Sequence, residues 1–313
     1  MRPRVAVIDV GSNSIKVLVA EMSTDGPFLL PVFQENLEVR ISYGIAGDPP
    51  TLQDDRIKAG VQAVQRLWSD CQDYGPISQL RIVATSAVRT AANGHEFMDA
   101  VEQATGILPE VLSGSEEAEG IALGVRTDPA IAEELHDFTV FDLGGGSLEL
   151  IRFEHNGVTD RTSLPLGSVR MTEQFVTLPE EPLSLIEQDA IREHVRSHIV
   201  ASAVPIKSPL VGCSGGLAAV RHVNAKQSGK LFELVSPEIK KKFVDKLADS
   251  VMRQNVRERI QTSHLPPGRA DIFPAALITF QVLMELAGTR RIRHSLHNLR
   301  YGLAWKMLQD QVS

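Results

Sequence analysis

The sequence predicts an α/β protein built from two related halves. Three observations carry that reading. A strand–turn–strand pattern occurs twice at an offset of 133 residues: Val5 to Val19 contains Asp9-Val10-Gly11-Ser12-Asn13-Ser14, and Thr139 to Ile151 contains Asp142-Leu143-Gly144-Gly145-Gly146-Ser147. That offset is too long for a solenoid repeat and suits a pair of domains. The length of 313 residues also suits two domains. Finally, strand-like runs alternate with helical periodicity along the chain, the pattern of mixed architecture.

Each copy reads as a β-hairpin: an apolar strand, a Gly/Ser/Asn turn and a second alternating strand. Asp54 to Tyr74 reads as a helix, with Ile57, Val61, Val64 and Leu67 on one face. Arg81 to Thr85 is a short strand, and Glu96 to Thr105 and Glu116 to Val125 are helices, the latter entered through Ser113-Gly114-Ser115. After the second hairpin, Glu187 to Val200 reads as helix and Leu210 to Cys213 as a buried strand. Ser236 to Ile260, opened by Ser236-Pro237, and Asp271 to Ala287 read as further helices. Leu299 to Gln309 reads as a closing helix.

Composition narrows the class. No apolar run reaches the roughly 18–20 residues of a membrane span, and the N-terminal Val5-Ala6-Val7-Ile8 is a strand, with no secretory signal before it. Two cysteines, Cys71 and Cys213, make no disulfide framework, so a cytoplasmic protein is expected. The net charge of −7 is uneven: residues 1–121 and 122–204 each carry −8, while residues 205–313 carry +9. That basic third suits a polyanionic partner.

The turns carry the chemistry. Gly11 allows a tight turn, and Ser12, Asn13 and Ser14 add donors to a run of backbone N–H groups suited to phosphate oxygens. Three glycines at 144–146 weaken a strand unless close backbone approach is wanted. Asp9 ends a buried strand and needs a cation, donor or water. Asp142 and Glu149 are placed to hold a hard cation. In Ser113 to Ala118 a glutamate, Glu116 or Glu117, can act as general base towards a water; an acid matching the helix dipole is the plainer role for one of them.

The ordered motifs D-V-G-S-N-S (9–14), A-T-S-A-V-R (84–89), S-G-S-E-E-A (113–118), D-L-G-G-G-S-L-E (142–149), P-L-G-S-V-R (165–170), G-C-S-G (212–215), R-A-D (269–271) and R-Y-G-L (300–303) resemble the Ppx/GppA family. These are exopolyphosphatases and guanosine pentaphosphate phosphohydrolases. The resemblance implies an actin-like (ribonuclease H-like) ATPase fold, two lobes around an interdomain cleft. The expected domains are residues 1–120 joined by 299–313, and residues 121–298. The family roles imply that Glu117 activates water, with Glu116 in reserve, and that Asp142 and Glu149, with Asp9, place Mg²⁺ or Mn²⁺. They also imply phosphate binding by Ser12, Asn13, Ser14, Lys16, Arg89, Gly144, Gly145, Gly146, Ser147, Arg170, Ser214 and Gly215. Lys16 stands where the family usually has Arg, and Leu148 where it has Thr. The implied reaction is removal of the terminal phosphate of inorganic polyphosphate or guanosine pentaphosphate. No nucleic acid polymer or membrane is expected as partner, and a homodimer is allowed. An actin-like kinase or ATPase, and a non-catalytic polyphosphate or alarmone sensor, are the competing readings.

Other features read more plainly. His194 and His198 sit at i,i+4 and are expected at the surface. His294 and His297, beside Arg290, Arg291 and Arg293, are expected on a solvated face within reach of a phosphate chain. Lys240, Lys241 and Lys242 are expected on an exposed helix face.

Overall fold

The structure is a computed structural model that describes residues 2–24, 28–45, 47–132, 134–261 and 263–311. Residue 1 and residues 312–313, the outer ends of the expected first domain, lie outside these. The chain divides into two compact units, Met1–Glu134 with His297–Ser313, and Leu135–Leu296.

The first unit opens with β1 (Arg4–Val10), β2 (Ser14–Met22) and β3 (Leu29–Glu38), then α1 (Asp54–Gln72), β4 (Ile77–Ala84), α2 (Ser86–Thr90), α3 (Gly94–Thr105), β5 (Glu110–Val111), α4 (Gly114–Arg126) and α5 (Pro129–Ala132). Its five strands lie in the order β3-β2-β1-β4-β5. The pairs β1/β2 and β2/β3 are antiparallel; β1/β4 and β4/β5 are parallel. β1 is buried from Val5 to Val10, which is why it reads as a continuous apolar run with helices on both faces. Ala6, Ile8 and Val10 join Val64, Leu67 and Phe97 of α1 and α3 in one core.

The second unit contains β6 (Phe138–Leu143), β7 (Leu148–Glu154), β8 (Gly157–Leu164), α6 (Ser168–Phe175), α7 (Leu185–Ala201), β9 (Leu210–Gly212), α8 (Gly215–Ser228), β10 (Glu238–Lys240), α9 (Lys241–Val251), α10 (Val256–Gln261), α11 (Phe273–Leu286) and β11 (Arg291–His294). Six strands run β10-β11-β9-β6-β7-β8, with β6, β9 and β11 parallel and the rest antiparallel. The sequence echo is therefore also an echo of topology. A three-strand antiparallel meander, with its first strand paired in parallel to a later one, occurs in both units. α11 is the apolar centre, in one core with α6, α7 and α9.

The last helix, α12 (Leu299–Asp310), belongs to the first unit, where it packs on α4, β1 and β2. The border expected at 120 therefore moves to 134, because α4 is tied to α12 along its length. The helices cross on glycines: a Cβ on Gly302 would sit 1.8 Å from the Gly120 carbonyl oxygen, and one on Gly124 would sit 2.0 Å from that of Asn298. Arg300 Nη1 donates to the Val17 carbonyl at 2.6 Å. Arg300 and Gly302 of the R-Y-G-L motif thus anchor the helix.

The helix expected over 236–260 is instead β10, α9 and α10. Lys240 pairs with Arg291 across the β10/β11 ladder, so pairing with a distant strand overrides local helical periodicity. Asn255 begins α10 with a reciprocal cap: Glu258 N–H donates to Asn255 Oδ1 at 3.0 Å, and Asn255 N–H to Glu258 Oε2 at 2.9 Å. Buried Arg259 stitches this region, donating to the carbonyls of Val251, Pro179, Ala270 and Glu181 at 2.9–3.2 Å. Among the described residues no helix is long and apolar enough to cross a membrane.

Candidate active site

In the first unit, the parallel strands β1, β4 and β5 end at one edge of the sheet, where open α/β sheets bind ligands. β1 leads into the Gly11–Ser14 turn, β4 into α2 with Arg89, and β5 into α4 with Glu117. The turn is closed by the Gly11 N–H donating to the Ser14 carbonyl at 3.1 Å. Its outer carbonyls are engaged from behind. Ser42 N–H and Oγ donate to the Ser12 carbonyl at 3.2 and 3.1 Å, and Arg40 N–H donates to that of Asn13 at 2.9 Å. In a trans peptide the carbonyl and the following N–H point opposite ways, so the Asn13 and Ser14 N–H groups face away from that clamp. Arg40 Nε also donates to Asn13 Oδ1 at 3.2 Å. This leaves Asn13 Nδ2 a buried donor with no acceptor among the described residues, a group that calls for an incoming oxygen. Arg40 and Ser42 are functional support that the sequence does not signal, since they lie in an irregular segment after β3.

The two glutamates of α4 part company. Ser113 caps the helix through Glu116: Glu116 N–H donates to Ser113 Oγ at 3.2 Å, and Ser113 N–H to Glu116 Oε2 at 2.8 Å. The hydrogen bond from the Ser113 backbone holds the exposed Glu116 carboxyl below its ordinary pKa. Glu116 is thus the capping acid and is not placed as a base, which corrects its reserve role. Glu117, one residue on, turns inward and is 8% exposed. Arg89 Nη1 donates to its Oε2 at 3.0 Å and to the Leu112 carbonyl at 2.6 Å. Arg89, expected on a phosphate, here orients Glu117.

In the second unit, β6, β9 and β11 likewise end at one edge, bringing the Gly144–Ser147 turn beside Ser214 and Gly215. The P-L-G-S-V-R segment clamps the turn. Ser168 N–H donates to the Gly144 carbonyl at 3.0 Å, Val169 and Arg170 N–H to Gly145 at 2.9 and 3.1 Å, and Arg170 Nε to Gly146 at 3.1 Å. With those three carbonyls turned towards α6, the N–H groups of Gly145, Gly146 and Ser147 face the other way. Among the described residues they have no acceptor. Three successive outward N–H groups form an anion nest. The approach requires Gly167, where a Cβ would lie 2.2 Å from the Gly145 carbonyl oxygen. Arg170 therefore shapes the nest from behind, through its carbonyls. Ser214 Oγ caps α8 by accepting from Leu217 N–H at 3.2 Å, and the Arg269 guanidinium lies against Gly215.

Asp142, Glu149 and Ser163 form one row across β6, β7 and β8, so their side chains share a face. Ser163 Oγ donates to Glu149 Oε1 at 2.7 Å, and Glu149 is 1% exposed. Like charges directly opposite in a ladder repel, and two hard carboxylates in that position suit a magnesium-type ion, which takes one or two carboxylates plus phosphate and water. The donor set fits such an ion. In the first unit the same register sets Asp9 opposite Lys16, an acid facing a cation. No group of three His, Cys, Asp or Glu poised for a metal occurs among the described residues.

Two histidine expectations change. His294 is buried, because alternate residues of β11 point inward, and its Nδ1 accepts from Arg221 Nη1 at 3.2 Å. Burial and the Arg221 charge push its pKa down to about 3. His297 is likewise drawn inward, stacking on Tyr301 with ring centres 3.9 Å apart and bonding Thr127 Oγ1 at 2.7 Å. His194 stacks with His198 at 4.0 Å.

Residues 18–311 match the Ppx/GppA phosphatase family. The chain is 30% identical over 321 residues to the guanosine-5'-triphosphate,3'-diphosphate pyrophosphatase of Vibrio vulnificus, covering 98% of this chain and 60% of that protein. It spans only that part of the Vibrio relative's length. Exopolyphosphatase 2 of Mycobacterium tuberculosis is 28% identical over 325 residues, covering 96% of this chain and 97% of the relative. The crystal structure of an exopolyphosphatase-like protein superposes with a TM-score of 0.89 at 25% identity, covering 99% of each chain. With its eight motifs in order on two hairpin-bearing sheets, and the match running from β2 to the end of α12, this chain belongs to the Ppx/GppA phosphatase family.

Proposed function

We propose that the chain hydrolyses the terminal phosphoanhydride bond of inorganic polyphosphate, releasing orthophosphate, and that it also acts on guanosine pentaphosphate. The observation that carries this reading is the outward nest of Gly145, Gly146 and Ser147 beside the facing carboxylates Asp142 and Glu149. Donors for phosphate oxygens and ligands for a hard cation stand on adjoining residues of one turn.

Each group has a role in the proposal. The nest N–H groups and Ser147 hold the terminal phosphate, and those donors act where negative charge develops. Asn13 Nδ2, with Ser12 and Ser14, binds a further phosphate oxygen. Glu117, steadied by Arg89, accepts the proton of the attacking water. Asp142 and Glu149 would hold a magnesium or manganese ion, whose charge offsets that of the phosphates. Alignment and charge stabilisation supply most of the acceleration in phosphoryl transfer. The basic residues after 205 favour a long polyanion as substrate.

The test is phosphate release from long polyphosphate, short polyphosphate, guanosine pentaphosphate and ATP, with and without Mg²⁺. Release from the first three but not ATP supports the proposal. ATP turnover alone, with transfer to an acceptor, favours a kinase. Glu117→Gln should lower kcat by about 10²–10⁴-fold and leave polyphosphate binding intact. Equal inertness of wild type and variant, with tight binding, favours a sensor.

A further inference from the structure

The second unit carries another concavity, of about 600 Å³, in the size range of small-molecule sites. It lies at the far end of α8 from the candidate active site. Ser214 caps the first turn of α8, whereas the cavity is lined by Asn224 and Ser228 from its last two turns. Fourteen helical residues put those ends about 20 Å apart. β11 points the same way: its carboxyl end is at the catalytic edge, and Arg291, which lines the cavity, is its first residue.

The cavity wall is built, and it is held from inside. Buried Arg221 donates Nη2 to the carbonyls of Val235 and Phe232 at 2.8 and 3.4 Å, and its guanidinium lies 4.4 Å from the Phe232 ring centre. Its Nη1 meets His294. Segment 232–235, which closes one side, is thereby fixed to α8 and β11.

Lining chemistry is of two kinds. Leu234, Val235, Ile239 and Phe243 provide an apolar surface, and Lys230, Lys240 and Arg291 provide positive charge. Glu238, the one acid in the lining, is already engaged by Arg291 at 3.0 Å. Among the described residues no carboxylate pairs with Lys230 or Lys240. A bare phosphate chain would leave the apolar surface uncovered, and a hydrocarbon would leave the ammonium groups unanswered. A flat apolar ring carrying an anionic tail satisfies both.

We infer that this cavity binds a nucleoside diphosphate, its base against Phe243 and Leu234 and its phosphates at Lys230 and Lys240. The inference is independent of the proposed hydrolysis. The test is calorimetric titration of the whole chain with ADP, in excess tripolyphosphate to occupy the glycine turn. One ADP should bind with a Kd of about 0.1 mM, and adenosine and pyrophosphate should each bind about tenfold or more weakly. The Lys230→Glu/Lys240→Glu variant, changed only at exposed side chains, should weaken ADP by about tenfold or more with an unchanged melting temperature. If that variant does not fold, Ser228→Trp, which fills the cavity from the exposed last turn of α8, must produce the same loss. Undiminished ADP binding in the folded variant, pyrophosphate binding as tight as ADP, displacement of ADP by tripolyphosphate, or no ADP binding at all would each overturn the inference.

Discussion

Replacing Gly302 by alanine should destabilise the first unit by about 2 kcal/mol. The added Cβ would stand 1.8 Å from the Gly120 carbonyl oxygen and 2.8 Å from the Gly124 nitrogen. Heavy atoms rest at about 3.5–4.0 Å, so α12 and α4 would have to separate by roughly 1.5 Å. Overpacking costs about 1–3 kcal/mol. The obstacle here is helix backbone, which has no rotamer to escape into, so the upper end applies. Alanine regains about 1 kcal/mol over glycine in helix propensity, leaving a net loss of about 2. For a folding unit of this size that lowers the melting midpoint by about 4–8 °C. Thermal melting and urea unfolding by circular dichroism would measure it. Gly124→Ala, whose Cβ would lie 2.0 Å from the Asn298 carbonyl oxygen, forces the same separation. The double variant should therefore cost less than the sum of the singles, the mark of coupled sites. A Gly302→Ala protein that melts at or above wild type, or strict additivity, would refute this account of the helix crossing.

The remaining predictions concern charge. Glu149→Gln removes one of two facing carboxylates, so the Mg²⁺ concentration giving half-maximal phosphate release should rise about tenfold or more, with chelator abolishing release by wild type and added Mg²⁺ restoring it. His294 takes its proton at about pH 6.5 when unfolded but only at about 3 in its buried site beside Arg221. Between those values unfolding takes up a proton, so stability falls as pH drops below 6.5, by about 2 kcal/mol at pH 5. His294→Asn should flatten that part of the urea-midpoint profile between pH 7.5 and 5, and an unchanged slope would count against the buried pair. Arg259→Met strands four carbonyls that now receive its donors; at about 1–3 kcal/mol per orphaned group, a drop in unfolding free energy of more than about 3 kcal/mol is expected in urea.

Signals that are local and periodic were legible in the sequence. Both hairpins, the long helices α1, α3, α7 and α11, and the cap of α4 follow from spacing and turn chemistry, with ends within about two residues. Strands β3 and β8 escape because they lie at sheet edges. Gly157–Leu164 is mostly exposed, so burial imposes no apolar alternation on it. The span 236–260 misleads because β10 exists only through its pairing with β11, fifty residues on; the Asn255/Glu258 cap was the available sign of a break. In the candidate site, the turns and Glu117 can be read from motif order. The clamps from Arg40, Ser42 and Ser168, which aim the N–H groups, depend on tertiary approach and leave no periodic trace. Which of Glu116 and Glu117 caps α4 was open in sequence, and the reciprocal bond to Ser113 gives the cap to Glu116.

The same ladder position is filled by Lys16 in one hairpin and Glu149 in the other. The same hairpin design thereby carries opposed charges across that rung in one unit and like charges in the other. Where lysine stands across from Asp9, the formal charges on that rung cancel. Where glutamate stands across from Asp142, they add. If the proposed function holds, exchanging Lys16 and Glu149 should therefore move the demand for a cation from the second hairpin to the first.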